Sequence, residues 1–276
     1  NSGYIQDKDK SGLVNLSSSI LNEGTKELGS SNFAQILDEN AITIHSSNGF
    51  ETFVIEVSSL KEQSKKAVSL LNDLLKSPNF TQSSLDKIKT IQTGYLKRKE
   101  NDFDFIAQNQ LKALLFKDTA LENPSSGTIE SISKIELKDI ENFLSKTISL
   151  NNLIIVAGGN FAQKEIETLI KPILENLKIG EKSEVKKIDF KSQKSEKTLQ
   201  RDTEQAYIYF GSSFNIDSKD EENYKAKVAS FILGGSGFGS RLMEEIRVKR
   251  GLAYSAYGTI GINRLYSSFS GYLQTK

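Results

Sequence analysis

"LGGSGFGSRLMEEIRVKRGLAY", residues 233–254, sets Gly234, Gly235, Gly237 and Gly239 directly ahead of a helix-forming run. Glycine loops that cradle phosphates have this look, but the details fit such a loop poorly. A dinucleotide fingerprint needs G-x-G-x-x-G straight after a strand, so that the pyrophosphate sits between strand end and helix N-terminus. Here the preceding "NYKAKVASFIL" reads as helix, and Ser240 stands where the third glycine belongs. A Walker loop needs Lys then Ser or Thr after its last glycine, and "GSRL" offers neither in order. Gly235, Gly237 and Gly239 are therefore read as a backbone pivot, allowing angles and close approaches that side chains forbid.

Beyond the loop, Leu242, Met243 and Ile246 form one apolar helix face, Glu244 and Glu245 lie early, and Lys249, Arg250 and Gly251 supply stop signals. "AYSAYGTIGI" then alternates as a strand and makes a hairpin with "YSSFSGYL". A helix end, a glycine turn and a strand can bring Arg247 and Tyr254 together. One donor is permanently charged and the other phenolic, a pair suited to gripping a carbonyl oxygen. Taken singly, Arg247 reads as an exposed helix arginine paired with Glu244 or solvent, and Tyr254 as a half-buried strand aromatic. Arg241 and Arg250 read as surface or loop-anchoring residues.

Composition narrows the possibilities. The 276 residues are 37% hydrophobic and 26% charged, which suits a globular chain with a packed core. Acid and base nearly cancel at a formal charge of +1, so no broad footprint for nucleic acid is present. No apolar run approaches the ~20 residues of a membrane helix. Cysteine is absent and His45 is the one histidine, excluding disulfides, thiol nucleophiles and cysteine-rich zinc sites. His45 itself reads as a half-exposed strand residue. The chain opens at Asn1 without a methionine, as it would after removal of a leader or in a trimmed chain.

Along the chain, "AITIHSS" and "ETFVIEVS" flank Asn48 and Gly49 as a hairpin, and helical periodicity follows from Leu60 to Leu75 and from Leu85 through Ile91. A helix around Ile140, Phe143 and Leu144, a buried strand "NLIIVAGG" and a helical stretch to Leu177 interrupted by Pro172 come next. The mixture predicts an α+β layer. The lysine-rich, polar stretch that follows marks a solvated connection, dividing the chain into residues 1–180, a linker at 181–200, and 201–276. The last part is short for a mixed domain, so its remainder is expected to be missing.

These residues resemble the M16 (pitrilysin or insulinase-like) zinc metallopeptidases. "GGSGFGSRLMEEIRVKRGLAYSAY" looks like the family's second-repeat signature, a glycine loop and a helix bearing an Arg, then a Tyr seven positions on, as in Arg247 and Tyr254. "GLVNLSSSILNEGT" resembles the opening helix, and "LENPSSGTIESISKIELKDIENFLSKTISLNNLIIVAGGNF" the central segment. The resemblance implies two similar α+β repeats, each an antiparallel sheet with helices packed on it, the second truncated here.

The departure matters more. In active members the opening helix carries H-x-x-E-H, two zinc-binding histidines with a glutamate that activates water. Those places read Asn15, Leu16, Ser17, Ser18 and Ser19. Hydroxyl and amide groups are poor zinc donors, and neither replaces the glutamate as a base. The third ligand's place falls near Gly94 or Tyr95, with no carboxylate until Glu100. Asn15, Ser18 and Ser19 are thus degenerate metal positions, with no metal or cofactor expected in this chain.

The pattern resembles the zinc-less subunit of bacterial heterodimeric M16 enzymes. It implies an H-x-x-E-H-bearing M16 partner subunit that holds the zinc, and a peptide substrate whose backbone Arg247 and Tyr254 would hold beside the scissile bond. Neither nucleic acid nor a membrane span enters this picture. The alternative is a purely structural M16-like scaffold without a part in proteolysis. Such pairs are exported, which implies a periplasmic or otherwise exported home in a Gram-negative bacterium, with a cytoplasmic one left open.

Overall fold

A computed structural model describes every residue except Asn1, Lys8, Val185 and Lys191. Its elements are α1 (Leu13–Leu21), α2 (Gly29–Glu39), β1 (Thr43–Asn48), β2 (Phe53–Ser58), α3 (Ser64–Lys76), α4 (Gln82–Lys99) and α5 (Phe103–Leu115). Then come α6 (Ile129–Lys134), α7 (Leu137–Thr147), α8 (Gln163–Asn176), β3 (Ala206–Ser213), α9 (Asn223–Ser230), β4 (Ser255–Ile262) and β5 (Ser267–Thr275). The fold is α+β with antiparallel sheets, as the mixed periodicities predict.

Packing divides the chain into two compact units, Asn1–Leu96 with Ser125–Glu184, and Lys97–Pro124 with Val185–Lys276. The sequence places residues 97–124 in its first domain; by packing they join the second unit. The cause is α5, whose Asp104 carboxylate accepts a 2.9 Å hydrogen bond from the Tyr209 hydroxyl on β3. Phe103 also meets the Tyr207 ring at 6.3 Å.

In the first unit α1 is the central helix. Its Leu16 and Ile20 are fully buried against Leu85, Ile132 and Ile140. Burial of each such side chain contributes roughly 1.5–3 kcal/mol. A second cluster joins Phe33, Ile42, Ala67, Leu70 and Leu74. The β1–β2 hairpin pairs His45 with Glu56 and leaves the histidine exposed.

Two expectations fail here. "NLIIVAGG" is not a buried strand, because Ile154 is 87% and Val156 90% exposed and the stretch lies in no sheet. Its start is fixed instead as a short 3₁₀ turn, Leu150–Asn152, in which the Leu150 and Asn151 amides donate to the Lys178 and Ile179 carbonyls. β-branched apolar residues favour a strand only where a neighbouring strand accepts their backbone groups; the described sheet of this unit holds only β1 and β2. Pro172, for its part, does not interrupt α8, which runs one more turn to Asn176. The ring forfeits a single backbone hydrogen bond near the helix end, a cost the helix absorbs.

In the second unit the sheet order is β3-β5-β4. Tyr209, Tyr272 and Tyr257 stack across it at 5.5 and 5.1 Å. Burial is the main cause that pushes the Tyr209 and Tyr272 phenols up, so both stay protonated.

Candidate functional site

Three unusual turns carry the glycine stretch. α9 passes into a π-helical turn, Phe231–Gly235, then a 3₁₀ turn at Gly237–Gly239 and a second π-helical turn at Met243–Val248. The helix read from Leu242, Met243 and Ile246 is therefore π-helical, a rare geometry often found at functional sites. Buried Ser240 starts it, accepting from the Met243 amide on its Oγ at 3.3 Å and from the Glu244 amide on its carbonyl at 2.9 Å. Met243 is fully buried, and its Sδ accepts from the Ala256 amide of β4 at 3.3 Å.

The glycines divide by need. A Cβ on Gly234 would meet the Gly258 nitrogen of β4 at 2.2 Å, a backbone-on-backbone clash. Gly237 takes φ +65° and Gly251 φ +61°, the left-handed region that glycine enters freely. Gly235 would meet the Ser230 carbonyl at 3.3 Å, and Gly239 nothing closer than 3.8 Å. Of the three glycines read from the sequence, only Gly237 has a backbone that demands glycine; the close approach belongs to Gly234.

Arg247 and Tyr254 come together. The Gly251 amide donates to the Arg247 carbonyl at 3.0 Å, the Leu252 amide to Ile246 at 2.9 Å, and the Tyr254 amide to the Gln274 carbonyl of β5 at 2.8 Å. The backbone of both residues is thus anchored. The Arg247 Cζ lies 4.7 Å from the Tyr254 ring centroid and 4.7 Å from that of Phe238. Among the described residues neither the guanidinium nor the Tyr254 hydroxyl has a hydrogen-bond or carboxylate partner. The pairing with Glu244 is not formed. Its neighbour Glu245 instead takes Lys249 at 2.7 Å, which holds the Glu245 carboxyl below the usual range, with the charges of Arg250 and Arg241 adding to the effect. Tyr254 is 70% exposed rather than half-buried. The result is a pair of donors, one cationic and one phenolic, left without a hydrogen-bond acceptor among the described residues.

Phe238 escaped the sequence reading. Its one signal was an aromatic side chain inside a loop that otherwise asks for glycine, and spacing alone could not say which cation it would meet.

On α1 the two serine hydroxyls at the degenerate metal positions are already hydrogen-bonded. The Ser18 hydroxyl reaches the Asn15 carbonyl and the Asn48 Oδ1, each at 2.9 Å, and the Ser19 hydroxyl donates to the Asn15 carbonyl at 3.0 Å. Ser17 donates likewise to Leu13 at 2.8 Å. Tyr95, near the third ligand's place, packs against the apolar core. Among the described residues no group of three or more His, Cys, Asp or Glu side chains could hold a metal ion. The residues present do not fit zinc, because neutral hydroxyls already bonded to helix carbonyls offer no anionic or imidazole donor.

An α+β chain with a donor-poor opening helix and a glycine loop presenting an Arg/Tyr pair is similar in plan to the M16 peptidases. Two family models cover nearly all of it: "Insulinase (Peptidase family M16)" over residues 1–129 and "Peptidase M16 inactive domain" over 134–276. The chain belongs to the M16 peptidase family. It is 44% identical to the Non-peptidase homolog YmxG of Helicobacter pylori over 99% of this chain and 63% of that protein's length. The chain thus spans less than two thirds of that relative. Among solved structures, the peptidase M16 inactive domain from Pseudomonas fluorescens matches with a TM-score of 0.88 at 24% identity, covering 100% of this chain and 67% of the other. A protease from Helicobacter pylori matches with a TM-score of 0.81 at 18% identity, covering 99% of this chain and 68% of the other.

Proposed function

We propose that this chain is the non-catalytic subunit of a two-chain M16 zinc peptidase, binding the peptide backbone and completing the active site of an H-x-x-E-H-bearing partner. One observation carries the reading: Arg247 and Tyr254 lie in cation–π contact with donors that have no partner among the described residues, in a chain whose metal positions are Asn15, Ser18 and Ser19. A scaffold has no use for a guanidinium kept free of carboxylates. A tetrahedral oxyanion does, because a fixed cation and a phenolic proton stabilise charge that develops only in the transition state.

The zinc and the water-activating base belong to the partner, so this chain performs no hydrolysis alone. The residue split 1–180, 181–200 and 201–276 goes with the proposal as the repeat division of the sequence. So does a periplasmic or otherwise exported location, for which cell fractionation is the check. No helix among the described residues is long and apolar enough to cross a membrane.

The test mixes the full-length protein with an H-x-x-E-H-bearing M16 subunit from the same cell and follows cleavage of a quenched-fluorescence peptide. Cleavage is expected only from the mixture. Arg247→Ala should lower turnover by about 100-fold, the usual cost of losing an oxyanion donor. Tyr254→Phe, which keeps the ring and loses the hydroxyl, should lower it by about tenfold. Unchanged turnover in Arg247→Ala rejects the assigned role and favours the scaffold.

A further inference from the structure

We infer that Phe238 is a positioning residue for Arg247, and that delivering this ring is a second task of the glycine loop. The inference rests on the reading of Arg247 and Tyr254 as substrate donors. A guanidinium is planar: its faces attract aromatic rings, while its N–H bonds lie in the plane and point away from them. Rings at 4.7 Å from the Cζ therefore hold Arg247 without consuming a donor. Among the described residues Phe238 and Tyr254 make no ring contact with each other, so the guanidinium lies within cation–π distance of two separate rings.

The alternative employment for Phe238 is packing, and the structure offers little of it. The side chain is 67% exposed and lies in neither apolar core cluster. It sits at the middle of the 3₁₀ turn Gly237–Gly239, entered through the left-handed Gly237. An arginine side chain has many rotamers, and Tyr254 alone would give it a single cation–π contact. A second ring narrows those rotamers before substrate arrives, which is how preorganisation reaches the transition state.

Two measurements on the full-length protein decide this. In arginine-labelled protein, the Arg247 Nε–H resonance is expected upfield of the other arginines through ring currents. Phe238→Leu should lose part of that shift and raise the side chain's mobility, while Phe238→Tyr should retain both. Because Phe238 is exposed, neither variant should unfold the chain, which a thermal melt checks. An Arg247 resonance indifferent to Phe238→Leu overturns the inference.

In the mixture with the H-x-x-E-H subunit and the same quenched-fluorescence peptide, Phe238→Leu should lower kcat threefold to tenfold, as estimated for one cation–π contact of about this strength, with KM within about twofold. The Arg247→Ala/Phe238→Leu double variant should be no slower than Arg247→Ala. A silent Phe238→Leu beside a slow Arg247→Ala overturns the positioning role alone. If Arg247→Ala is itself silent, the peptidase reading falls and the role in turnover falls with it, while the resonance still reports whether Phe238 holds Arg247.

Discussion

Asp7 is a side chain whose protonation this fold strongly alters. It is buried ahead of α1, accepting from the Val14 amide at 2.8 Å and the Gly12 amide at 3.0 Å. Burial pushes its carboxyl from the ordinary 3.8 up to about 7, against the opposing effect of those two hydrogen bonds. The folded state therefore binds this proton more tightly than the unfolded chain. Its stabilising contribution is complete below about pH 4 and is lost as pH rises through 7. Asp7→Asn cannot titrate, and turns an N–H toward one of the two amides. Wild type should be more stable than this variant at pH 4, with the gap shrinking by up to roughly 4 kcal/mol by pH 7. Denaturant unfolding at steps between those values checks it, and a constant gap would refute it. Asp102, Asp139 and Glu130 have lowered values and lose stabilisation in the opposite direction, as pH falls, so the comparison between variants is the informative one.

At the scale of elements, the join between α9 and β4 depends on two glycines facing each other. Gly234→Ala would press a methyl into the Gly258 backbone, where no flexible side chain can yield. The variant should lose about 2–3 kcal/mol of unfolding free energy, the range for overpacking a tight contact. Gly239→Ala, with nothing inside 3.8 Å, should change stability by under about 0.5 kcal/mol. Equal losses in a urea titration would mean that the close approach is not what fixes the loop. The contrast also marks what the sequence could convey. Four glycines announced a special turn, and the alternation of β4 and β5 announced the hairpin. Which glycine met backbone, and that the turns would be π-helical, depended on the register between α9 and β4, which no local pattern encodes.

For the whole molecule, local periodicity was a good guide wherever an element packs on sequence neighbours, as in β1–β2 and β4–β5. It failed at Leu153–Val156, which carry a strand's composition without a strand's neighbours. The lack of donor side chains at positions 15, 18 and 19 was the most legible feature of all, because donor chemistry is a property of residue type and needs no coordinates. That gives the last expectation its force. The Ser18 and Ser19 hydroxyls spend their hydrogen bonds on the Asn15 carbonyl and on Asn48, and Leu16 and Ile20 anchor the same helix through apolar burial. Since α1 is held without metal, zinc should not bind stoichiometrically to the isolated chain in equilibrium dialysis. A chelator should leave its melting temperature within about 1 °C, because nothing that binds the native state is removed. The same chelator should abolish cleavage by the two-chain mixture, where the metal resides in the partner. A chelator-sensitive melt of this chain alone would mean that its own side chains assemble a donor set, and the division of labour between two subunits would have to be abandoned.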